Sequence, residues 1–403
     1  MPEAVIVSVA RTPIGRAFKG SLKDQRPDDL AAFAIRAALD KIPALDPTTI
    51  NDVYLGNGQP AGEAGFNMAK VVNTLLGLDM VPGATVNRYC SSSVQTTRMA
   101  FHAIKAGEGD IFVSAGVEAV SRFGAGMSDV AGAENPLMAA AAARTAGLAA
   151  TNDTWTDPRE SGLVPDVYIA MGQTAENVAT SRGLSRQELD EFAARSQNLA
   201  EKAINDGFWA REITPITLAD GTVVSKDDGP RAGVTYEGMA ALKPVFRENG
   251  VNTAGNSCPL NDGAAAVVLM SDTKAAELGL KPLARVVSTG VSGLSPEIMG
   301  LGPVQAVKNA LKFAGMSIGD IDLVEINEAF AAQVVPSYQD LGIDIDRLNV
   351  NGGAIAVGHP FGMTGARLQN TLLNSLEWHN KTTGLITMCV GGGQGMALIL
   401  ERL

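Results

Sequence analysis

The sequence predicts an α/β protein in which helices cover both faces of a mainly parallel sheet, built as two similar halves with an inserted domain. Short apolar runs alternate with amphipathic helical patterns over residues 1–120, which favours this class of fold. The same order of patterns returns after about residue 251, which indicates an internal repeat. We therefore expect one half at 1–120 plus 251–275, an inserted domain at 121–250 and a second half at 276–403.

The elements of the first half follow from the periodicity of its apolar residues. Apolar residues between positions 30 and 38 fall on one face of a helix, and Gly77 ends a second helix. Short apolar runs mark the strands between them. The predicted order is a strand at 5–9, a helix at 28–41, a strand at 53–55, a helix at 67–76, a strand at 84–87, a helix ending near 105 and a strand at 110–115.

The insertion and the second half are predicted in the same way. In the insertion, Ser185 and Glu188 form a predicted capping box, and Gly207 ends the helix that follows. The second half repeats the first pattern, with a helix at 304–314, a strand at 322–326, a helix at 365–376 and strands at 384–388 and 396–400. Such halves are expected to pack as a pseudo-dimer, with the loops at their strand ends meeting at one site.

Composition argues against several classes of protein. The net charge of −11 disfavours nucleic acid or an anionic membrane as a partner. Three cysteines are too few for a disulfide framework and are typical of a reducing compartment. The sequence displays no targeting or membrane-spanning segment, so we expect a cytoplasmic protein without integral membrane association.

The run from Val86 to Ser93 is the first candidate for chemistry. Cys90 follows a short apolar run and precedes a helical pattern, which places its sulfur beside the unpaired N–H groups of a helix N-terminus. The helix dipole is expected to stabilise a thiolate there, and small residues at 91–93 leave room for a substrate. The alternative is a buried structural cysteine, because free cysteines are among the most buried residues.

Three further candidates lie on loops of the second half. His359 stands beside a proline in a glycine-rich loop, which favours a catalytic position. Cys389 precedes glycines whose N–H groups can converge on an anion, although such a run also fits a tight turn or a phosphate cradle. Asn327 lies where a strand meets a helix, and an ordinary helix cap is the alternative.

Two thiols and one imidazole suit acyl transfer. The imidazole can take the proton from one thiol and activate it as a nucleophile, while the second thiol exchanges a proton with carbon. The backbone N–H groups of Cys90 and Gly391 can hold an oxyanion. The cysteines and histidines lack the spacing of a metal site, so no metal is expected.

Four segments together resemble the signature loops of the thiolases, in that family's order and spacing: 86–93 (VNRYCSSS), 327–330 (NEAF), 351–362 (NGGAIAVGHPFG) and 389–395 (CVGGGQG). The resemblance covers the whole chain. It implies the thiolase fold, a layered αβαβα pseudo-dimer of two βαβ-type halves with an inserted loop domain. By position, Cys90 matches the acyl-accepting nucleophile and Cys389 matches the acid/base that acts on carbon 2 of the acetyl group. His359 matches the activator of the nucleophile and binds the thioester oxygen with a water held by Asn327.

The same resemblance implies the ligands. CoA is expected as a co-substrate, with no permanently bound cofactor, and Arg231 and Ser257 are the positions implied to bind it. Met171 and Met299 are expected to line the acyl pocket. The expected partners are acyl-CoA, CoA and further copies of this chain in a homodimer or homotetramer.

The resemblance implies CoA-dependent cleavage of a 3-ketoacyl-CoA in fatty-acid or steroid side-chain degradation. Two departures from biosynthetic thiolases favour a degradative role: Ala170 replaces a histidine, and Cys258 replaces a serine that touches pantetheine. Ala170 predicts a larger and more apolar acyl pocket. The alternatives are a biosynthetic acetoacetyl-CoA thiolase, a decarboxylating ketosynthase, an architectural subunit of a larger complex and a non-catalytic, thiolase-like protein that binds acyl-CoA or lipid.

Overall fold

The computed structural model of the protein describes residues 2–403. Every predicted helix and strand is present within a few residues of its predicted position. The strands are β1 (Ala4–Arg11), β2 (Gly15–Arg16), β3 (Asp52–Gly56), β4 (Gly83–Val86), β5 (Ile111–Ala119), β6 (Ile216–Thr217), β7 (Val223–Val224), β8 (Asn261–Ser271), β9 (Ala284–Gly293), β10 (Leu323–Ile326), β11 (Thr383–Val390) and β12 (Gln394–Arg402). The helices are α1 (Pro27–Leu39), α2 (Met68–Leu75), α3 (Ser92–Ala106), α4 (Ala139–Thr151), α5 (Met171–Arg182), α6 (Arg186–Asn205), α7 (Tyr236–Ala240), α8 (Asp272–Glu277), α9 (Gly302–Ala314), α10 (Ala331–Leu341), α11 (Ala354–Val357) and α12 (Thr364–Trp378).

The main sheet has ten strands and reveals the internal repeat. Its order is β4–β3–β5–β8–β1–β9–β12–β11–β10, with β2 paired to β8. The two halves meet where β1 pairs with β9, through Val5 with Arg285 and Ile6 with Ala284. From this junction outward, the strands of the first half follow in the order β1, β8, β5, β3 and β4. The strands of the second half follow in the corresponding order β9, β12, β11 and β10. The prediction of two similar halves is therefore confirmed.

The prediction of a mainly parallel sheet is wrong. Only the pairs β3–β4, β3–β5 and β10–β11 are parallel, whereas β8 and β12 are antiparallel to both of their main neighbours. β8 follows the insertion and re-enters the first half between β1 and β5. β12 follows β11 through a tight glycine turn, and a hairpin of this kind forces the two strands to be antiparallel.

The helices divide the molecule into layers. α1 and α2 pack on the outer face of the first half, and α9 and α10 cover the outer face of the second. α3 and α12 lie between the two halves, where their apolar residues join one central core. Every residue of α12 from Thr364 to Leu376 is buried, as expected for a helix with protein on all sides. This αβαβα layering confirms the expected fold.

The segment 121–250 contributes helices and the small β6–β7 hairpin, and no strand of the main sheet. The domain boundaries themselves stay a prediction. The Ser185 hydroxyl accepts a hydrogen bond from the Glu188 N–H at 3.2 Å, which caps α6 as expected. The Glu188 carboxylate instead accepts from Gln339 Nε2 at 3.3 Å, so only half of the predicted capping box forms. Within residues 2–403, no helix has the length and apolar character needed to cross a bilayer.

Candidate active site

Cys90 lies on the predicted turn between a strand and a helix. β4 ends at Val86, a single tight turn spans Tyr89–Ser91, and α3 begins at Ser92. Tyr89 has a φ of +44°, a left-handed conformation that is uncommon for a non-glycine residue and often marks a functional turn. The Ser92 hydroxyl donates to the Tyr89 carbonyl at 2.7 Å and accepts from the Arg88 N–H at 2.9 Å, which fixes the turn. The Cys90 side chain remains partly exposed.

Two backbone N–H groups act on the Cys90 thiol and lower its pKa. One belongs to Cys90 itself and the other to Gly391, in the turn that joins β11 to β12. Gly392 and Gly393 have φ values of +76° and +79°, so this turn depends on glycine. Arg88 Nη1 donates to Gln394 Oε1 at 2.7 Å and ties the two turns together. Cys90 and Gly391 both line one cavity, and the role of their N–H groups as donors to an oxyanion stays a prediction.

The predicted stabilisation of a Cys90 thiolate is wrong. Burial raises the pKa of Cys90 to about 12, and the nearby Glu118 carboxylate acts in the same direction. The two N–H donors lower the pKa, but by less than burial raises it. The resting residue is therefore a neutral thiol, and it needs a base before it can act as a nucleophile.

The hydrogen bonds of His359 define its tautomer. Thr364 Oγ1 lies 2.6 Å from His359 Nδ1 and also 2.6 Å from the Pro360 carbonyl oxygen. Because a carbonyl can only accept, the threonine hydroxyl gives its proton to Pro360 and accepts the proton of Nδ1. The lone pair therefore lies on Nε2, which is 3.3 Å from Asn327 Nδ2. Sequence analysis missed Thr364, although its place five residues after His359 at the start of a helix is a usable signal.

The surroundings of His359 keep its ring neutral. Burial lowers the pKa of His359 to about 3, and the positive charge of Arg367 acts in the same direction. The ring packs edge-on against Phe361 with 5.3 Å between centroids, and Phe361 lines the cavity that contains Cys90. The resting ring is therefore a neutral imidazole with its lone pair on Nε2.

Two buried glutamates that sequence analysis missed hold the loops of the site. The Glu118 carboxylate accepts hydrogen bonds from Gly58 N–H at 2.8 Å and Gly362 N–H at 2.9 Å. It thus joins the loop after β3 to the loop that carries His359, and burial raises its pKa to about 7. The signal was a single acid at the end of the apolar strand β5.

The Glu328 carboxylate likewise joins two segments of the chain, the insertion and the second half. Its carboxylate accepts from Ser196 Oγ at 2.6 Å, Asn349 Nδ2 at 2.8 Å and Ile355 N–H at 3.0 Å. Ser196 lies on α6, and the other two donors lie on the segment that leads to His359. Asn327 was predicted from this motif as a site residue, whereas its neighbour Glu328 was not.

Cys389 is fully buried on β11, opposite Gly395 in the hairpin. Burial raises the pKa of Cys389 well above its usual range, and the neighbouring Cys90 and Cys258 thiols add to the effect. All three cysteines are free thiols. The structure therefore brings Cys90, Cys258 and Cys389 into one region. From the sequence, Cys258 was noted only because it replaces a serine of biosynthetic thiolases, and its place near Cys90 was not predicted.

A cavity of about 420 Å³ opens onto Cys90. Met171 and Gly391 line it, as expected for a pocket that receives an acyl group. Met299 does not line it and is 1% exposed, within the core formed by the second half. Ala170 is exposed at the N-cap of α5 and does not line the cavity either.

The cavity wall also contains polar side chains, and the expectation of a more apolar pocket than that of biosynthetic thiolases stays a prediction. Gln59, Ser128, Asp129 and Glu134 form part of the cavity wall. They come from the loop after β3 and from the insertion, and sequence patterns could not place either segment against Cys90. The full lining is Gln59, Tyr89, Cys90, Ser128, Asp129, Val130, Ala131, Ala133, Glu134, Val167, Tyr168, Ile169, Met171, Phe361, Gly391 and Gly392.

A second cavity of about 290 Å³ contains Arg231. Arg16 is a further cation in its wall, and Gly255 and Pro259 line it on either side of Ser257 in the chain. The Ser257 side chain is 7% exposed and its hydroxyl has no hydrogen-bond partner. A buried hydroxyl without a partner is available to a ligand. Among residues 2–403, we find no group of three or more His, Cys, Asp and Glu side chains that could hold a metal ion.

Comparison with known proteins places this fold and site among enzymes that transfer acyl groups. Residues 4–273 match the family model "Thiolase, N-terminal domain", and residues 280–402 match "Thiolase, C-terminal domain". The chain therefore belongs to the thiolase family and is an acyltransferase.

Individual relatives match over their full length. The 3-ketoacyl-CoA thiolase of Bacillus subtilis (strain 168) is 41% identical over 414 residues, and the alignment covers 100% of both chains. The 3-oxoadipyl-CoA/3-oxo-5,6-dehydrosuberyl-CoA thiolase of Escherichia coli (strain K12) is 43% identical over 410 residues, again with 100% of both covered.

Solved structures agree with this assignment. The dimeric peroxisomal thiolase of Saccharomyces cerevisiae matches with a TM-score of 0.89 and 35% identity, over 100% of this chain and 98% of that chain. Human mitochondrial 3-ketoacyl-CoA thiolase in complex with CoA matches with a TM-score of 0.85 and 35% identity, over the same shares of the two chains.

Proposed function

We propose that the protein is a degradative thiolase that uses CoA to cleave a 3-ketoacyl-CoA into acetyl-CoA and a shortened acyl-CoA. The observation that carries this proposal is that Cys90 and Gly391 line one cavity, whose wall residue Phe361 packs against the neutral His359 ring. These groups supply a nucleophile, an oxyanion site and a base.

In the first half-reaction, the Cys90 sulfur attacks the 3-keto carbon while its proton passes to His359 Nε2. The N–H groups of Cys90 and Gly391 hold the oxyanion of the tetrahedral intermediate. The bond between carbons 2 and 3 then breaks, which leaves the acyl group on Cys90 and an acetyl-CoA enolate. We assign the protonation of carbon 2 to the Cys389 thiol, because burial keeps that thiol protonated until a base of comparable strength forms.

In the second half-reaction, the Cys389 thiolate takes the proton from the CoA thiol. The CoA sulfur attacks the acyl group on Cys90, and the Cys90 sulfur leaves and recovers its proton from His359. During the first half-reaction, the protonated His359 and a water held by Asn327 would bind the thioester oxygen of the acetyl-CoA enolate, and the 3.3 Å contact between the two side chains fits that role. Protons balance over the cycle without an external acid or base.

CoA would occupy the second cavity, with Arg231 as a cation for its phosphates and the unpartnered Ser257 hydroxyl for its pantetheine arm. Arg16 joins them as a second cation in the same wall. The CoA complex of the human mitochondrial relative supports a CoA site in this fold.

We propose a homodimer as the basic assembly, and a homotetramer would be a pair of such dimers. β4 is the edge strand of the first half, and Phe66 and Met80 nearby are 96% and 88% exposed. An edge strand flanked by exposed apolar side chains is suited to pairing with another chain. The yeast relative is described as dimeric, which supports this assignment. The free thiols fit a cytoplasmic, reducing location.

The proposed function is tested by following thiolysis of linear 3-ketoacyl-CoA substrates of increasing length with the purified protein and CoA. We expect thiolysis, with kcat/KM higher for six-carbon and longer substrates than for acetoacetyl-CoA, because the cavity exceeds the volume of an acetyl group. A preference for acetoacetyl-CoA would favour the biosynthetic alternative. Absence of thiolysis with every substrate would favour a non-catalytic binding protein.

The orientation of His359 gives a prediction about Thr364. In Thr364→Val the shape of the side chain is kept, but the acceptor for the Nδ1 proton is lost. We expect kcat for thiolysis to fall about 10-fold or more with KM little changed, because the ring loses its preferred tautomer. Thr364→Ser keeps the hydroxyl and should restore most of kcat. Equal activity of the valine and serine variants would contradict the role of the hydroxyl.

A further inference from the structure

The wall of the Cys90 cavity carries a fixed negative charge. Gln59 Nε2 donates to Asp129 Oδ2 at 2.5 Å, and Gln59 Oε1 accepts from the N–H groups of Ser128 and Asp129 at 2.8 and 2.9 Å. The Gln59 side chain is 6% exposed, so it is a rigid anchor. The Gln59 amide therefore binds the Asp129 carboxylate through one hydrogen bond and fixes the backbone at Ser128 and Asp129 through two more.

The charge of Asp129 has no cation opposite it in the cavity. The lining residues, all within the described range 2–403, include the acids Asp129 and Glu134 and no lysine, arginine or histidine. Asp129 Oδ1 accepts no hydrogen bond from this chain, while the Glu134 carboxylate accepts one from Gly132 N–H at 2.7 Å. The charge of Asp129 also contributes to the raised pKa of Tyr89, the residue next to the nucleophile.

A like charge on a cavity wall disfavours a ligand of the same sign. Asp129 is exposed on this wall, and an acyl tail that ends in a carboxylate would meet its charge without a compensating cation. A tail of the same length that ends in a methyl group meets no such repulsion. A relative that is 43% identical is named for 3-oxoadipyl-CoA, a substrate with such a carboxylate, so family membership alone does not decide between the two classes.

We propose that the acyl cavity selects 3-ketoacyl-CoA substrates with an uncharged acyl tail, and that Asp129 is the specificity-determining residue that excludes a terminal carboxylate. This inference rests on the proposed function, since it concerns the substrate of the same site. Gln59 is the positioning residue for Asp129. Hydroxylated tails remain compatible, because the free Asp129 oxygen can accept a hydrogen bond.

The test compares two substrates that share a six-carbon backbone, 3-oxohexanoyl-CoA and 3-oxoadipyl-CoA. We expect the wild-type protein to thiolyse the uncharged substrate with a kcat/KM at least ~10-fold higher. Asp129→Asn removes the charge and keeps an oxygen that can accept from Gln59. It should raise the ratio of kcat/KM for 3-oxoadipyl-CoA to kcat/KM for 3-oxohexanoyl-CoA several-fold. Added salt should narrow the wild-type preference, because it screens the repulsion.

Asp220→Asn is a matched control, since Asp220 is exposed in the turn of the β6–β7 hairpin and does not line the cavity. This variant should leave the substrate ratio unchanged. Equal or better thiolysis of 3-oxoadipyl-CoA by the wild type would overturn the inference while the proposed function stands. So would an unchanged ratio in Asp129→Asn. Cleavage of neither substrate would overturn the proposed function and the inference with it.

Discussion

Replacing Cys90 with alanine is expected to reduce thiolysis by roughly 10⁴-fold or more, as when the nucleophile of a covalent catalyst is removed. Among the residues that line the cavity, all within the described range 2–403, Cys90 is the only thiol, so no other group there can take its place as the nucleophile. The measurement is the thiolysis rate of a 3-ketoacyl-CoA under saturating CoA. The variant should also fail to exchange CoA into acetyl-CoA, because that exchange requires an acyl-enzyme.

Cys258→Ala is the matched control for this prediction. Cys258 is another partly buried thiol, and the nearby Cys90 contributes to the raised pKa of Cys258. Its removal should leave thiolysis within a few-fold of wild type. Loss of activity in Cys258→Ala together with normal activity in Cys90→Ala would show that Cys258, and not Cys90, is the nucleophile.

Cys389→Ala should separate the two halves of the reaction. Proton transfer at carbon 2 is needed only when the carbon–carbon bond breaks or forms, so thiolysis should fall about 100-fold or more. Acetylation of Cys90 by acetyl-CoA needs no proton at carbon 2, and water can protonate the departing CoA thiolate in place of Cys389, so this reaction should persist. The two activities are measured by thiolysis of a 3-ketoacyl-CoA and by exchange of labelled CoA into acetyl-CoA.

Cys389→Ser is a second variant for the same test. Cys389→Ser keeps the size of the side chain but replaces the thiol with a weaker acid, so it should resemble the alanine variant in thiolysis. Normal thiolysis in either variant would contradict the acid/base role of Cys389. Loss of both thiolysis and exchange would indicate a structural role in the β11–β12 hairpin instead.

The fold was largely predictable because its helices and strands carry strong periodic patterns. The helices near 28–41 and 304–314 and the two final strands appear close to their predicted bounds. The direction of the strands was not predictable in the same way. β8 and β9 were not predicted, and the order in which β8 inserts between β1 and β5 depends on contacts across more than one hundred residues.

The loops that form the candidate site could be predicted from the sequence. Cys90, Gly391, His359 and Asn327 each sit in a glycine-rich or strand-end motif, and the N–H donors and the contact between His359 and Asn327 follow from that placement. The acidity of Cys90 did not follow, because burial by the surrounding loops outweighs the helix terminus. The position of Asp129 in the cavity wall could not be predicted either, since it depends on how the insertion folds over the cavity.

The most direct test of the account is to mix the protein with acetyl-CoA, trap the product at low pH, digest it and locate the acetyl group by mass spectrometry. The mechanism predicts one modified peptide, with the acetyl group on Cys90. The same modification should be present in Cys389→Ala and absent from Cys90→Ala. Acetylation of Cys258 or Cys389 while Cys90 stays free would contradict the assignment of Cys90 as the nucleophile.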